Sequence, residues 1–568
     1  MALFFKWLFR IVTGLIALAV LSIYMAYYLG SRSLPDYNAT FQVDGISSPL
    51  EIARDTADVP HIFGETDADV FYGLGFAHAQ DRLFQMMLLR RTAQGKLSEV
   101  FGLRTKATDE LMRRLGVYEA AVASASRQTP ETLAALQAYA RGVNAWIGEV
   151  NKGAMGRGAP EFFLFPAEIA YWQPQDSIAL LKLASLQLSD HISTEVLRAR
   201  TSLMLPPERV VDILPDAPGT PTAVLPEFAA LFPDAQEFVP ELDVDYAMAG
   251  FNPAPLGGAS NAWAATSARA ASGASLMAND PHLGFSAPGA WYLARIELQT
   301  GGVIGATIPG IPFIIAGRKE TLSWGITSAY TDDADLFIEQ VNPQAPDEVL
   351  TANGYKKMRS RPSILRIKDQ APETLTLQWT DNGPVLPQSA FDLNTITPNG
   401  YVVSVSWTPL ATDDTSMSAL MNLMKANTVT QGLAAGKDFV APALNLVLAD
   451  RDGVAQKTIG RAPLRDVAHQ SQGRIPSQGW VTTNQWQGWR AYETLPLFMP
   501  QSGEIIGNTN NKTTDEAFPN HLTFHWGDTQ RVERWKHLMQ SRKVHTRESF
   551  IEAQNDIVSF SARSLLPL

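Results

Sequence analysis

The chain has no cysteine among its 568 residues. Disulfide staples, thiolate catalysis and cysteine-bound zinc are therefore excluded, and an oxidising compartment is permitted. Histidine is scarce too, with nine in all, and no His-Glu-x-x-His zinc motif occurs. There is no Walker A loop, no complete GxGxxG and no GxSxG elbow, which removes the common nucleotide-binding and α/β-hydrolase readings. Positive charge is thin: 46 basic against 57 acidic residues leave a net charge of −11. No Lys/Arg cluster offers the basic surface that a nucleic-acid partner needs.

Long apolar runs are also rare, and one exception is informative. Ile11 to Ser31 carries no charge over 21 residues, with Lys6 and Arg10 before it and Tyr24, Tyr27 and Tyr28 at its exit. That length suits a bilayer-crossing helix, and the aromatics suit an interface. Residues 1–32 therefore read as an N-terminal membrane anchor or a removed signal. Basic residues ahead of the span place the rest outside the cytoplasm, in the periplasm or its equivalent.

Hydrophobic content of 45% is ordinary globular composition, and the length allows roughly three or four domains' worth of sequence. Residues 33–205 read as mostly helical after short strands between Phe41 and Phe63, where Pro60 belongs at an edge or an end. Thr66 and Asp67 can cap a helix carrying Val70, Leu74, Ala77, Phe84 and Leu88 on one face. His78 reads as structural there. Further helices are predicted over 131–150 and 177–204. Residues 206–259 hold ten of the 36 prolines and nine acidic residues against Arg209, which reads as a linker or spacer. From 260 to 568 the pattern turns to short strands near 261–265, 274–277, 290–298, 302–308 and 313–316, then hairpins, with helices at 415–425, 532–541 and 547–555. Strands followed by helices argue an α+β fold.

The segment Gly257-Gly258-Ala259-Ser260-Asn261-Ala262-Trp263 opens this second half, and Asn279-Asp280-Pro281-His282-Leu283 follows. Later come Ser323-Trp324-Gly325-Ile326-Thr327-Ser328-Ala329, Asp332-Asp333-Ala334-Asp335 and Gly507-Asn508-Thr509-Asn510-Asn511, then Trp526-Gly527 and Arg531. With Gly73-Leu74-Gly75-Phe76-Ala77-His78 upstream, these stretches resemble the penicillin acylase family of N-terminal-nucleophile hydrolases, which includes acyl-homoserine-lactone acylases. The likeness runs from about Asp44 to the end, and its last residues read as sequence that other members continue. The implied fold is a four-layer αββα sandwich.

The resemblance implies a precursor that cuts itself between Ala259 and Ser260 and loses its spacer. The freed α-amine, with an ordinary pKa of about 8, can then act as the base for its own hydroxyl. Products would be a carboxylic acid and an amine, by way of an acyl-enzyme. The resemblance also implies that the Ser328 N–H and the Asn510 side chain stabilise the oxyanion, with Asn508 or Asn511 as neighbouring registers. His282 would orient the amine or the nucleophile, and Arg531 the site's electrostatics. One structural Ca2+ is implied on Asp332, Asp335, the Ala334 carbonyl and Glu195, clustered carboxylates being suited to a hard cation. Leu188, Leu283 and Ala316 fall at acyl-pocket places where rings stand in phenylacetyl-selective members. Aliphatic groups there favour fatty acyl chains, on homoserine lactones or other amines, over phenylacetyl penicillins. The expected partners are thus a small N-acyl amide, the chain's own processed halves and a membrane, without nucleic acid or organic cofactor. The alternative is a membrane-anchored binding protein without catalysis, disabled by a shortened C-terminal part.

Overall fold

The computed structural model describes residues 1–153, 158–166, 168–217, 219, 225–232, 259–527 and 529–566. Gly257, Gly258 and most of the expected spacer lie outside the described residues. A helix over Ala2–Ser31 stands apart from the body; its Ala2–Tyr28 part, of mean hydropathy 2.1 and with none of its most apolar stretch buried, is long and apolar enough to cross a membrane.

The body is built on two face-to-face sheets. One has nine strands, running in order through Glu51–Arg54, Pro60–Phe63, Tyr292–Leu298, Gly301–Thr307, Ala316–Arg318, Leu322–Ser328, Leu444–Asp450, Val454–Ile459 and Leu497–Phe498. All its pairings are antiparallel except Pro60–Phe63 with Tyr292–Leu298. Pro60 begins its strand, where its missing N–H costs no ladder bond. The second sheet has three strands, Ala259–Ala265 between Ile505–Asn508 and Leu276–His282.

Strand alternation explains the layering. Along Leu444–Asp450, Leu444, Leu446 and Leu448 join the main core while Val447 and Ala449 face the smaller sheet. There they meet Ala262 and Ala264, and the intervening Trp263 and Ala265 turn outward to Met539 and Phe550 on the helices Thr529–Gln540 and Arg547–Gln554. The helix Val429–Gly436 covers the far face of the large sheet, with Gly432 close against Leu448 and Gly436 against Ile459. Helix, sheet, sheet and helix thus form the αββα sandwich. A five-stranded sheet, with four strands between Ala334 and Trp407 and a fifth at Ser477–Gln478, and a second three-stranded sheet extend it.

The helix Asp67–Gln94, capped by Thr66 as its sequence predicts, crosses Pro130–Asn151 at very close range. A Cβ on Gly75 would stand 2.1 Å from the Tyr139 carbonyl oxygen, and one on Gly142 1.9 Å from that of Tyr72. His78 is wholly buried in this crossing, with Nδ1 2.7 Å from the Tyr139 hydroxyl.

Two expectations need correcting. The helix predicted over 177–204 is broken into Pro174–Gln187 and His191–Met204. Both halves carry helical apolar patterns, so the break shows only in Ser189 and Asp190, types that bond locally and favour helix ends. The acidic proline-rich stretch is also more than loop: Pro207–Ile213 is helical, and Phe228, Leu231 and Phe232 are buried. Its Asp216 pairs with Arg198 and Arg474.

Candidate active site

Ser260 lies second in its strand, which is continuous with Ala259 in the unbroken chain. Being in phase with Ala262 and Ala264, its side chain points between the two sheets. Two donors converge on it: the Ser328 N–H reaches Oγ at 3.2 Å and Asn510 Nδ2 at 3.0 Å. Ser328 closes the strand Leu322–Ser328 of the large sheet, so the first donor belongs to a rigid element. The second comes from two residues beyond Ile505–Asn508, where Asn510 adopts φ +65°. Asparagine tolerates this left-handed conformation better than most residues, and Asn508 Oδ1 secures it by accepting the Asn510 N–H at 2.8 Å.

The Asn510 amide is fixed at both ends. Its Oδ1 accepts from the Ser260 N–H at 2.7 Å and from Arg531 Nη2 at 2.8 Å. Nδ2 must then face Ser260 Oγ and the Ser328 carbonyl, which it reaches at 2.9 Å. Arg531, from the helix Thr529–Gln540, also donates to the Ser260 carbonyl at 3.3 Å, to Asn261 Oδ1 at 3.0 Å and to the Thr509 carbonyl. Asn279 clips the sheets together: Nδ2 donates to the Asn261 and Ile326 carbonyls and Oδ1 accepts the Ile326 N–H. This residue stands in the quoted Asn279–Leu283 stretch, yet its clipping role depends on the sheet stacking.

His282 faces Ala259 across the ladder rather than touching Ser260 Oγ. Its Nε2 stands 2.6 Å from Asp280 and 3.4 Å from Asn261 Nδ2, one residue along the strand from Ser260. Among the described residues, no imidazole, carboxylate or amine hydrogen-bonds to Ser260 Oγ.

Ser260 opens into a cavity of about 270 Å³. Leu188 and Leu283 line it, as expected, with Leu181, Ile308, Ile326, Leu420 and Leu444, and with Trp291 and Phe439. Ala316 does not line it; it is paired with Ala306 inside the large sheet, and Ile315, one residue earlier, faces the cavity. A slip of one position along an extended chain turns a side chain to the opposite face. Asp190 and Tyr330 reach the same cavity, and burial followed by the Asp190 charge raises the Tyr330 pKa.

The acidic run lies behind the site. Asp332, Asp333, Asp335 and Glu195 are all buried. Arg465, which the sequence reading missed, enters among them, with Nε 2.8 Å from Asp335 and Nη2 3.1 Å from Asp332. Burial pushes Asp332 up to about 7 and holds Glu195 well above the carboxylate range, the latter helped by Asp335 and Asp332. Among the described residues no three acidic or imidazole groups gather as a ready metal cage. Glu195 Oε1, Asp332 Oδ1 and Asp335 Oδ1 are nevertheless buried without a hydrogen-bond partner. One guanidinium leaves these carboxylates in excess, so the donor set fits a hard divalent cation.

The αββα sandwich with Ser260 on its inner strand has the fold of the N-terminal-nucleophile hydrolases. Within that class, the chain belongs to the penicillin amidase family, whose model matches residues 49–568. It is 29% identical over 550 residues to acyl-homoserine lactone acylase QuiP of Pseudomonas aeruginosa, covering 94% of this chain and 63% of that protein. It is 29% identical over 519 residues to penicillin acylase 2 proenzyme of Pseudomonas sp. strain SE83, covering 88% and 63%. Against penicillin G acylase of Escherichia coli the identity is 28% over 551 residues, covering 87% and 63%. The chain thus spans just under two thirds of the length of these relatives. A crystal structure of thermostable penicillin G acylase from Alcaligenes faecalis overlays with a TM-score of 0.46 at 21% identity, over 52% of this chain and 51% of that one.

Proposed function

We propose that the chain is a self-processing amidohydrolase that removes the acyl group from N-acylated amines. Acyl-homoserine lactones and penicillin-type β-lactams are the substrate classes named by its relatives, and aliphatic acyl groups suit the leucine- and isoleucine-lined cavity. One observation carries this reading: two N–H donors aimed at one serine oxygen at the floor of an apolar cavity.

Scission of the Ala259–Ser260 bond puts a primary amine and a hydroxyl on one residue. The amine, through a water, takes the hydroxyl proton as Oγ attacks the substrate carbonyl carbon. The carbonyl oxygen becomes an anion held by the Ser328 N–H and Asn510 Nδ2. Collapse breaks the C–N bond, the departing amine takes up the proton, and water then releases the carboxylic acid from Ser260. Among the described residues no other base reaches Oγ, which supports the amine in this role. Arg531 keeps Asn510 turned toward the oxyanion. Glu195, Asp332, Asp335 and the Ala334 carbonyl would hold a calcium ion, which would neutralise the buried acids behind Ser328. The apolar N-terminal helix, read as an anchor or a signal, supports a location outside the cytoplasm.

Mass spectrometry of the purified protein is expected to find a chain beginning at Ser260, and Ser260→Ala to give an uncut, inactive protein. An intact chain that hydrolyses amides at full rate, or an active Ser260→Ala variant, overturns the proposal.

A further inference from the structure

Asp190 reaches the Ser260 cavity from the break between the helices Pro174–Gln187 and His191–Met204. Its neighbours pin that break: Leu188 is on the cavity wall, Ser189 Oγ donates to Asp333 at 3.3 Å, and buried His191 stands 4.0 Å from Asp332. Asp190 itself makes no capping bond to the helix it precedes. Its carboxylate is half exposed, and the titratable group facing it is His525, Nε2 at 4.0 Å, whose pKa burial lowers so that the imidazole is held neutral. No lysine or arginine is among the described residues lining the cavity, and Arg531 is committed to Ser260, Asn261, Thr509 and Asn510. The aliphatic wall serves the acyl half of a substrate, so the half-exposed, charged edge falls to the amine half. Apolar walls around a single charge strengthen its field there.

We propose that Asp190 selects the amine half of the substrate, disfavouring an amine that carries a carboxylate and favouring a neutral or cationic one. This rests on the amidase reading above and divides its two substrate classes. A homoserine lactone is uncharged, whereas a penicillin nucleus carries a carboxylate across its fused rings from the amide.

The full chain would be assayed with decanoyl-glycine, decanoyl-glycinamide and decanoyl-ethylenediamine, which share one acyl group and carry amine halves of charge −1, 0 and +1. In the parent protein kcat/KM is expected to be lowest for the glycine compound. Asp190→Asn should raise that value about five- to tenfold, mainly through KM, and leave the glycinamide within about twofold. Asp190→Lys should reverse the order, and high salt should shrink the parent's preference. Equal rates on all three substrates, or equal changes in Asp190→Asn, overturn the inference and leave the amidase reading standing. No turnover of any of the three overturns the amidase reading itself.

Discussion

Asn510 joins three tasks in one side chain: it accepts the Ser260 N–H, donates to Ser260 Oγ, and is oriented by Arg531. Replacing it with alanine is expected to lower kcat by about 10²–10³, or about 3 kcal/mol in the barrier, with KM changed much less. Ser328→Ala is the matched control, because that donor is a main-chain N–H and survives the substitution. Its rate should stay within about threefold of the parent. Equal losses in the two variants, measured by steady-state kinetics on one amide, would show that the donors are misassigned. At this scale much was legible in the sequence. Ser260, Ser328, Asn510 and Arg531 each stand in a short stretch with its own pattern, and they meet in space. Arg465 was not legible, because a lone arginine in a loop says nothing until the fold carries it to Asp332 and Asp335.

The crossing of Asp67–Gln94 on Pro130–Asn151 owes its closeness to Gly75 and Gly142, whose missing Cβ atoms let carbonyl groups approach. That tight contact excludes water from His78, and burial lowers its pKa from 6.5 to about 3. Below pH 6.5 the unfolded chain takes up a proton that the folded chain refuses. The stability contributed by neutral His78 is therefore complete above pH 6.5 and is lost as the pH falls toward 3. Between pH 7 and 5 the loss is roughly 2 kcal/mol. Urea unfolding at both pH values should show a drop smaller by about that amount in His78→Gln than in the parent. An identical drop in both proteins rules His78 out as the cause. The helix itself was readable from its cap and apolar spacing. The break at Leu188–Asp190 left only Ser189 and Asp190 as a sign, since helical apolar patterning runs on both sides of it.

At the scale of the molecule, the buried acids tie the helical half to the strand half, with Glu195 on one side and Asp332 and Asp335 on the other. A calcium ion bound there would join the two. Added calcium is expected to raise the unfolding midpoint over that in chelator, by about 2.7 kcal/mol at a hundredfold excess over its dissociation constant. The shift should vanish in Asp332→Asn. A calcium-insensitive parent, or a variant that shifts equally, removes the ion from this site.

The sequence by itself determined the α+β class, the family, the short stretches that carry Ser260, Ser328 and Asn510, and a span apolar enough to cross a membrane. Each of these is written in local composition, periodicity or a short run of residue types. Tertiary structure alone decided that Ile315 rather than Ala316 faces the cavity, that Asp190 reaches its mouth, and that Arg465 sits among the carboxylates. Those outcomes depend on strand phase and on packing between segments more than a hundred residues apart, where a shift of one residue turns a side chain to the opposite face.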